Sequence, residues 1–246
     1  MIIDSHAHLK HGDSEGTEYS PETIVRTMDQ VGIDKSVVFA MSTTTRRSIE
    51  MAAEAAAKFP DRLVPYVYAL PHYERAVCDE LREALSERGF RGIKIHSGEC
   101  TLADYIIGPV MEVAAAHGVP CLIDLGGSFG TAESLARGYP ETKLIIAHLG
   151  RYLSGDWGLI DRFIGLAESC ANVYLDVSGV VLLEGIKAAV RRVGSARVLW
   201  GTDGPHAAPD TVSFARTELD KIRILGLLPE EESDVLGGAA AKLLGV

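Results

Sequence analysis

Gly92-Ile93-Lys94-Ile95-His96, a helical stretch over residues 102–117, and then Val119-Pro120-Cys121-Leu122-Ile123-Asp124 make up the span that decides the fold. Two short β-rich apolar runs flank one helix, and each run ends on polar side chains. A strand, a helix of that length and a second strand form the βαβ unit of a parallel sheet. Side chains alternate along a strand, so Lys94 and His96 share one face and Ile93 and Ile95 the other. Strands this apolar are buried on both faces, and only their C-terminal tips are left for chemistry.

The same step repeats in both directions. Upstream, an apolar strand runs from Met1 into His6 and His8, and Ser20-Pro21-Glu22 supplies an N-cap and a proline at the first position of a helix reaching about residue 30. A strand over 34–41, an alanine-rich helix over 46–59 closed by Pro60, a strand over 63–70 and a helix over 74–88 follow. Downstream come a short helix (131–137), a strand (143–148), a helix (159–171), a strand (172–177), a helix (182–193) and a strand (197–203). Helices over 210–225 and 229–244 complete the chain, the last placed to cover one end of the sheet. Eight βα steps predict an α/β fold, a (β/α)8 TIM barrel with an extra C-terminal helix and a single domain over residues 1–246. The 246-residue length agrees with the roughly 250 residues such a barrel takes.

Composition excludes several functions. The formal net charge of −10, with no basic tract beyond pairs such as Arg46-Arg47 and Arg191-Arg192, disfavours nucleic acid. No apolar run approaches the roughly 20 residues that span a bilayer, and the first residues carry neither a basic nor a long apolar leader segment, so the expected location is the cytoplasm and no membrane partner is expected. Cys78, Cys100, Cys121 and Cys170 are too scattered for a Cys-x-x-Cys site and read as reduced packing thiols.

The polar residues at the strand ends carry the functional reading, because the C-terminal face of a barrel is its catalytic face. His6 and His8, two apart on one strand, aim at a common metal ion. With eight histidines in the chain such a pair arises by chance about one time in four, so it takes its weight from the other strand ends. His148 follows Ile145-Ile146-Ala147; alone it reads as a core histidine bonded to backbone, but four other polar strand ends favour function. Asp203, in Trp200-Gly201-Thr202-Asp203-Gly204-Pro205, is placed to ligate metal or accept a proton, against an equal reading as an Asp opening a turn. Lys94 is read as neutralising a substrate carboxylate, as a carbamylated metal bridge, or as an ion-pair partner of Asp124. His96 is a substrate contact or extra ligand, and Arg151 adds charge at the same rim or a surface salt bridge. Gly126-Gly127-Ser128-Phe129-Gly130 reads as a substrate-facing turn. His72 and His206 draw no role, and His117 reads as a structural helix-end cation.

In order, His6-Ala7-His8, Gly92-Ile93-Lys94-Ile95-His96, Ile146-Ala147-His148-Leu149-Gly150, Asn172-Val173-Tyr174-Leu175-Asp176 and Gly201-Thr202-Asp203-Gly204-Pro205 resemble the amidohydrolase superfamily, in the branch that includes aminocarboxymuconate semialdehyde decarboxylase. The resemblance implies a (β/α)8 barrel and one divalent metal ion, usually Zn2+, held by His6, His8 and Asp203. It also implies that His148 ligates the metal or assists proton transfer. Two positions depart from it. Asp124 stands where a histidine is usual, and either completes the metal set as an oxygen ligand or leaves the metal shifted, weakened or absent; Ala239 stands where asparagine is common and is read as structural.

The expected ligand set is therefore His6, His8, Asp124, His148 and Asp203, with Asp203 and His148 catalytic and Lys94, His96 and Arg151 holding substrate. The expected activity is metal-dependent hydrolysis of an amide, lactone or ester bond in a small anionic molecule. Its rivals are a metal-dependent decarboxylase on the same scaffold and a non-catalytic ligand-binding barrel. Barrel enzymes often form homo-oligomers, but the sequence shows no seam for one.

Overall fold

The computed structural model describes residues 1–74 and 77–246. Arg75 and Ala76, at the start of the helix expected over 74–88, lie outside the described residues. The strands are β1 (Ile3–Lys10), β2 (Lys35–Ala40), β3 (Leu63–Pro65), β4 (Val67–Tyr68), β5 (Ile93–His96), β6 (Cys121–Asp124), β7 (Leu144–Ile146), β8 (Val173–Asp176) and β9 (Val198–Leu199). They form two groups, β1-β2-β3 and β4-β5-β6-β7-β8-β9, and within each group every strand pairs in parallel with the next in sequence. The strand expected over 63–70 is split into β3 and β4 at Tyr66, whose N–H donates to Val38 O at 3.0 Å while Val67 N–H donates to Gly92 O at 2.9 Å, so the chain bridges the two groups.

The ring closes beyond β9. Ser5 N–H donates to Trp200 O at 3.1 Å, Asp203 N–H to His6 O at 2.8 Å and His8 N–H to Gly204 O at 2.6 Å, with Ala7 and Gly204 in parallel register. This closure explains why regular strand ends at Leu199 rather than at Asp203: residues 200–204 bend to serve β1.

Between the strands run α1 (Pro21–Val31), α2 (Thr45–Lys58), α3 (Cys78–Glu87), α4 (Asp104–His117), α5 (Phe129–Gly138), α6 (Trp157–Ser169), α7 (Leu183–Val193) and α8 (Thr211–Arg223). The Ser20 side chain accepts from Thr23 N–H with Pro21 behind it, the cap expected from sequence. The helix expected over 229–244 is broken into α9 (Pro229–Ser233), a wide turn over Asp234–Gly238 and α10 (Ala239–Leu244). Gly237 explains the break: a Cβ there would lie 2.3 Å from Met1 O and 3.1 Å from Ile3 N, so the chain presses against the start of β1.

Two apolar clusters follow from strand alternation. Residues such as Val38, Val67, Ile93, Ile95, Ile123 and Ile146 face the helices. Phe39, Tyr66, Tyr68, Leu122, Ile145 and Leu199 fill the inside of the ring, where Ala239, Ala240, Leu243 and Leu244 of α10 join them. Ile3 belongs to the inner cluster but Ala7 and Leu9 to the outer one, although a two-residue period would put Ile3 and Ala7 on one face. A register shift in β1 between Asp4 and Ala7 resolves this, and turns His6 and His8 inward.

Candidate metal centre and catalytic cavity

A cavity of about 460 Å³ opens above the inner cluster, lined among others by His8, His11, Lys94, His96, Asp124, His148, Tyr152, Asp203 and His206. Lys94, His96, Asp124, His148 and Asp203, predicted at the ends of four strands, thus meet at one site. His6 lies directly beneath, fully buried. Its Nε2 is 3.1 Å from Asp203 Oδ1, and His8 Nε2 is 3.0 Å from the same oxygen. His148 and Asp203 occupy their places through left-handed backbone, at φ 59° and 56°. Such conformations cost about 1–3 kcal/mol each and concentrate at functional sites. His148 therefore belongs to a tight turn after β7, over Ala147–Gly150, rather than to the strand itself.

Hydrogen-bond chemistry sets the tautomers. Asp176, at the end of β8, places Oδ2 3.2 Å from His6 Nδ1, and Lys94 Nζ is 3.0 Å from His6 Nε2. A carboxylate only accepts and an ammonium only donates, so the proton of neutral His6 is on Nδ1 and Nε2 presents a lone pair. His148 Nδ1 is 2.8 Å from the Ser178 carbonyl and so carries a proton. His96 Nδ1 accepts from Gly98 N–H at 3.0 Å, which leaves Nε2–H to donate to Asp124 Oδ2 at 3.2 Å.

Burial, reinforced by the Lys94 charge, lowers His6 to a pKa of about 3, and burial also lowers His8. Burial also disfavours charge on His148, yet the Asp203 charge, a hydrogen bond to Asp124 and the Asp176 charge outweigh it and raise His148 to about 9. Asp203 is held well below the usual carboxylate range: burial opposes ionisation, but His148, His6 and His8 overcome it. Lys94 is lowered by burial, against the pull of Asp124, Asp203 and Asp176.

His6, His8 and Asp203 place one ligand atom each within 4.8 Å of the others, as do His6, His148 and Asp176. Only the first trio fits an ion reached from the cavity, because Asp176 and both Nδ1 atoms behind it are tied up with Ser178, whose Oγ is 2.6 Å from Asp176 Oδ2, 3.2 Å from His6 Nδ1 and 3.1 Å from His148 Nδ1. In the first trio a lone pair on His6 Nε2 faces a carboxylate oxygen, two acceptors suited to a shared cation, and the Lys94 ammonium 3.0 Å from Nε2 supplies one cation there. His8 Nδ1 is buried without a partner, whereas Nε2 faces Asp203 Oδ1 at 3.0 Å, so Nε2 is the atom that an ion at this position would take after the proton shifts to Nδ1. Two imidazoles and a carboxylate are a donor set for a divalent first-row ion, zinc included.

Asp124 is in neither trio. Its Oδ2 is 3.2 Å from His96 Nε2 and 3.5 Å from His148 Nε2, and its Oδ1 takes Gly126 N–H at 2.8 Å. Arg151 stands on an exposed turn outside the lining, with its stem against Gly127. The expected substrate-facing turn at 126–130 also lies outside it, with Gly126 and Gly127 N–H groups committed to Asp124 and to Gly150 O. His117 bonds to Val113 O and Ser86 Oγ at the end of α4, away from the cavity.

Several residues of the site were assigned no role from the sequence. His206 lines the cavity although no role was expected of it, and His11, hidden in the polar stretch after β1, stacks on His8 with ring centroids 4.5 Å apart. Asp176 and Ser178 are fully buried behind His6 and His148. Asp176 was detectable as one more acidic strand end, whereas Ser178 had no marker.

The Amidohydrolase family matches residues 3–246. The chain belongs to the amidohydrolase family. Membership makes it an enzyme of that family, and solved structures share its fold. A zinc-bound amidohydrolase from Burkholderia multivorans is 16% identical, with a TM-score of 0.77, and the match covers 100% of this chain and 99% of that one. A probable 2-pyrone-4,6-dicarboxylic acid hydrolase from Acinetobacter baumannii, with citric acid bound, is 16% identical with a TM-score of 0.74 over 100% and 99%. A dihydroxybenzoic acid decarboxylase from Polaromonas sp. JS666, with manganese and an inhibitor, is 18% identical with a TM-score of 0.71 over 99% and 96%. At these identities the likeness speaks for the fold, a TIM barrel, and not for a substrate. Among the described residues of this amidohydrolase, no helix is long and apolar enough to cross a membrane.

Proposed function

We propose that this amidohydrolase hydrolyses an amide, lactone or ester bond in a small anionic molecule, with one divalent ion, zinc first among the choices, held by His6, His8 and Asp203. The observation that carries the reading is the convergence of His6 Nε2 and His8 Nε2 on Asp203 Oδ1, at 3.1 and 3.0 Å, on the floor of a cavity sized for a small molecule. When bound there, a divalent ion lowers the pKa of a water and polarises the scissile carbonyl. Asp203, kept ionised, receives the water proton on Oδ2, the oxygen not shared with the histidines. His148 delivers a proton from Nε2 to the leaving group, held in place by its Nδ1–H bond to Ser178 O. Lys94 and His96 line the same wall and orient the substrate.

The test is metal content and turnover together. Zinc or manganese should co-purify at about one equivalent, and His6→Ala, His8→Ala and Asp203→Asn should abolish turnover in folded protein. Turnover that survives in a metal-stripped His6→Ala/His8→Ala protein overturns the proposal.

Decarboxylation is the second reading, favoured by one feature. Lys94 is a cation buried at the cavity wall, where it fits a substrate carboxylate. Release of carbon dioxide without incorporation of labelled water oxygen selects this reading over hydrolysis.

A further inference from the structure

Resting on the metal reading above, we infer that Lys94 is an internal cation that competes with the divalent ion for His6 Nε2, and so sets how tightly the centre loads. Lys94 is 1% exposed on β5, with Phe39 beneath its ammonium at 5.2 Å and Nζ 3.0 Å from His6 Nε2. An ammonium has three N–H donors and no lone pair, so it bonds to His6 only as the donor. The other His6 nitrogen is committed at 3.2 Å to Asp176 Oδ2 and at 3.2 Å to Ser178 Oγ. Nε2 is therefore the one lone pair His6 can offer.

That lone pair cannot accept an N–H and ligate a metal at once. His6 joins the ligand set only when the Lys94 bond to it is broken, and the like charge of the ammonium adds to the opposition. The same contact has a use in the ion-free protein. Asp124, Asp176 and Asp203 all act on Lys94 electrostatically, so one built-in cation offsets part of a buried acidic cluster until a divalent ion takes over. Once displaced from His6, the ammonium belongs to a residue that already lines the cavity, where it is available to a substrate oxygen.

The experiment is calorimetric titration of ion-free wild type, Lys94→Met, Lys94→Gln and His6→Ala with zinc chloride, competed by a chelator of known affinity, with circular dichroism to establish folding. Lys94→Met should bind zinc about 10–100-fold more tightly than wild type, the equilibrium equivalent of a charge-assisted hydrogen bond. Its ion-free form should melt lower than wild type and gain more on zinc addition. If Lys94→Met does not fold, Lys94→Gln carries the same expectation, since it removes the charge. Wild-type binding with equal or weaker affinity in the Lys94 variants overturns the inference, and weaker affinity marks Lys94 as a ligand or bridge. Zinc binding by neither wild type nor the Lys94 variants overturns the metal reading, and the inference with it. Undiminished binding by His6→Ala removes His6 Nε2 as the contested atom and also overturns it.

Discussion

His6 Nδ1 stands 3.2 Å from Asp176 Oδ2, both side chains fully buried, so an acidic group at the end of β8 orients an imidazole on β1, two strands away around the ring. Such outer partners fix the tautomer of a ligating histidine and raise its basicity. Asp176→Asn should therefore lower zinc affinity by about 10–100-fold while the protein stays folded. Isothermal titration beside a far-ultraviolet spectrum checks this, and unchanged affinity would remove Asp176 from the centre.

Asp124 separates two roles. Its carboxylate is engaged by His96 and by Gly126 N–H, and faces His148 Nε2, so it is expected to position those imidazoles rather than to ligate. Asp124→Asn should keep its metal within a few-fold of wild type, yet lose turnover by about 10–100-fold as His148 loses its counter-charge. Loss of metal equal to that of His8→Ala would return Asp124 to the ligand set.

Gly150 couples stability to the site. It has φ 103°, and a Cβ there would meet the buried Phe163 ring at 2.1 Å. Gly150→Ala is strained in its backbone and overpacked at once, at about 1–3 kcal/mol. The melting temperature should fall by about 2–4 °C for each kcal/mol. Because His148 is two residues away on the same turn, turnover should fall as well. A melting temperature equal to wild type in a calorimetric scan would contradict this.

Thiol chemistry tests burial away from the cavity floor. Burial pushes the Cys121 thiol up to about 12 against the opposing charge of Lys94, and the Cys100 thiol up to about 11, helped by Glu99. A raised thiol pKa means less thiolate at a given pH, and only thiolate attacks disulfide reagents. At pH 8 both should react slowly with a chromogenic disulfide in the folded protein and quickly after denaturation. Cys100 should speed up as the pH rises toward about 11. Rapid reaction of both in native protein at pH 8 would show that the packing around them is looser than described.

Much of this was legible in the chain itself. The alternation of Ile93 and Ile95 with Lys94 and His96 determined which side chains face the ring, because a strand has a period of two. Eight such strands with helices between them determined a barrel, and polar residues at strand tips determined which end holds the site. Local chemistry was enough there, since each inference needed only neighbours within a few residues. Tertiary structure alone decided the rest. The register shift that turns His6 and His8 inward depends on where β1 meets β2 and residues 200–204, not on residues 1–10. The commitment of Asp124 to His96, the exclusion of Arg151, the inclusion of His11 and His206, and the contact between Lys94 and His6 are distances between residues up to 195 apart in sequence. A one-dimensional pattern states which face a side chain occupies, but only the closed ring determines which atom it meets there.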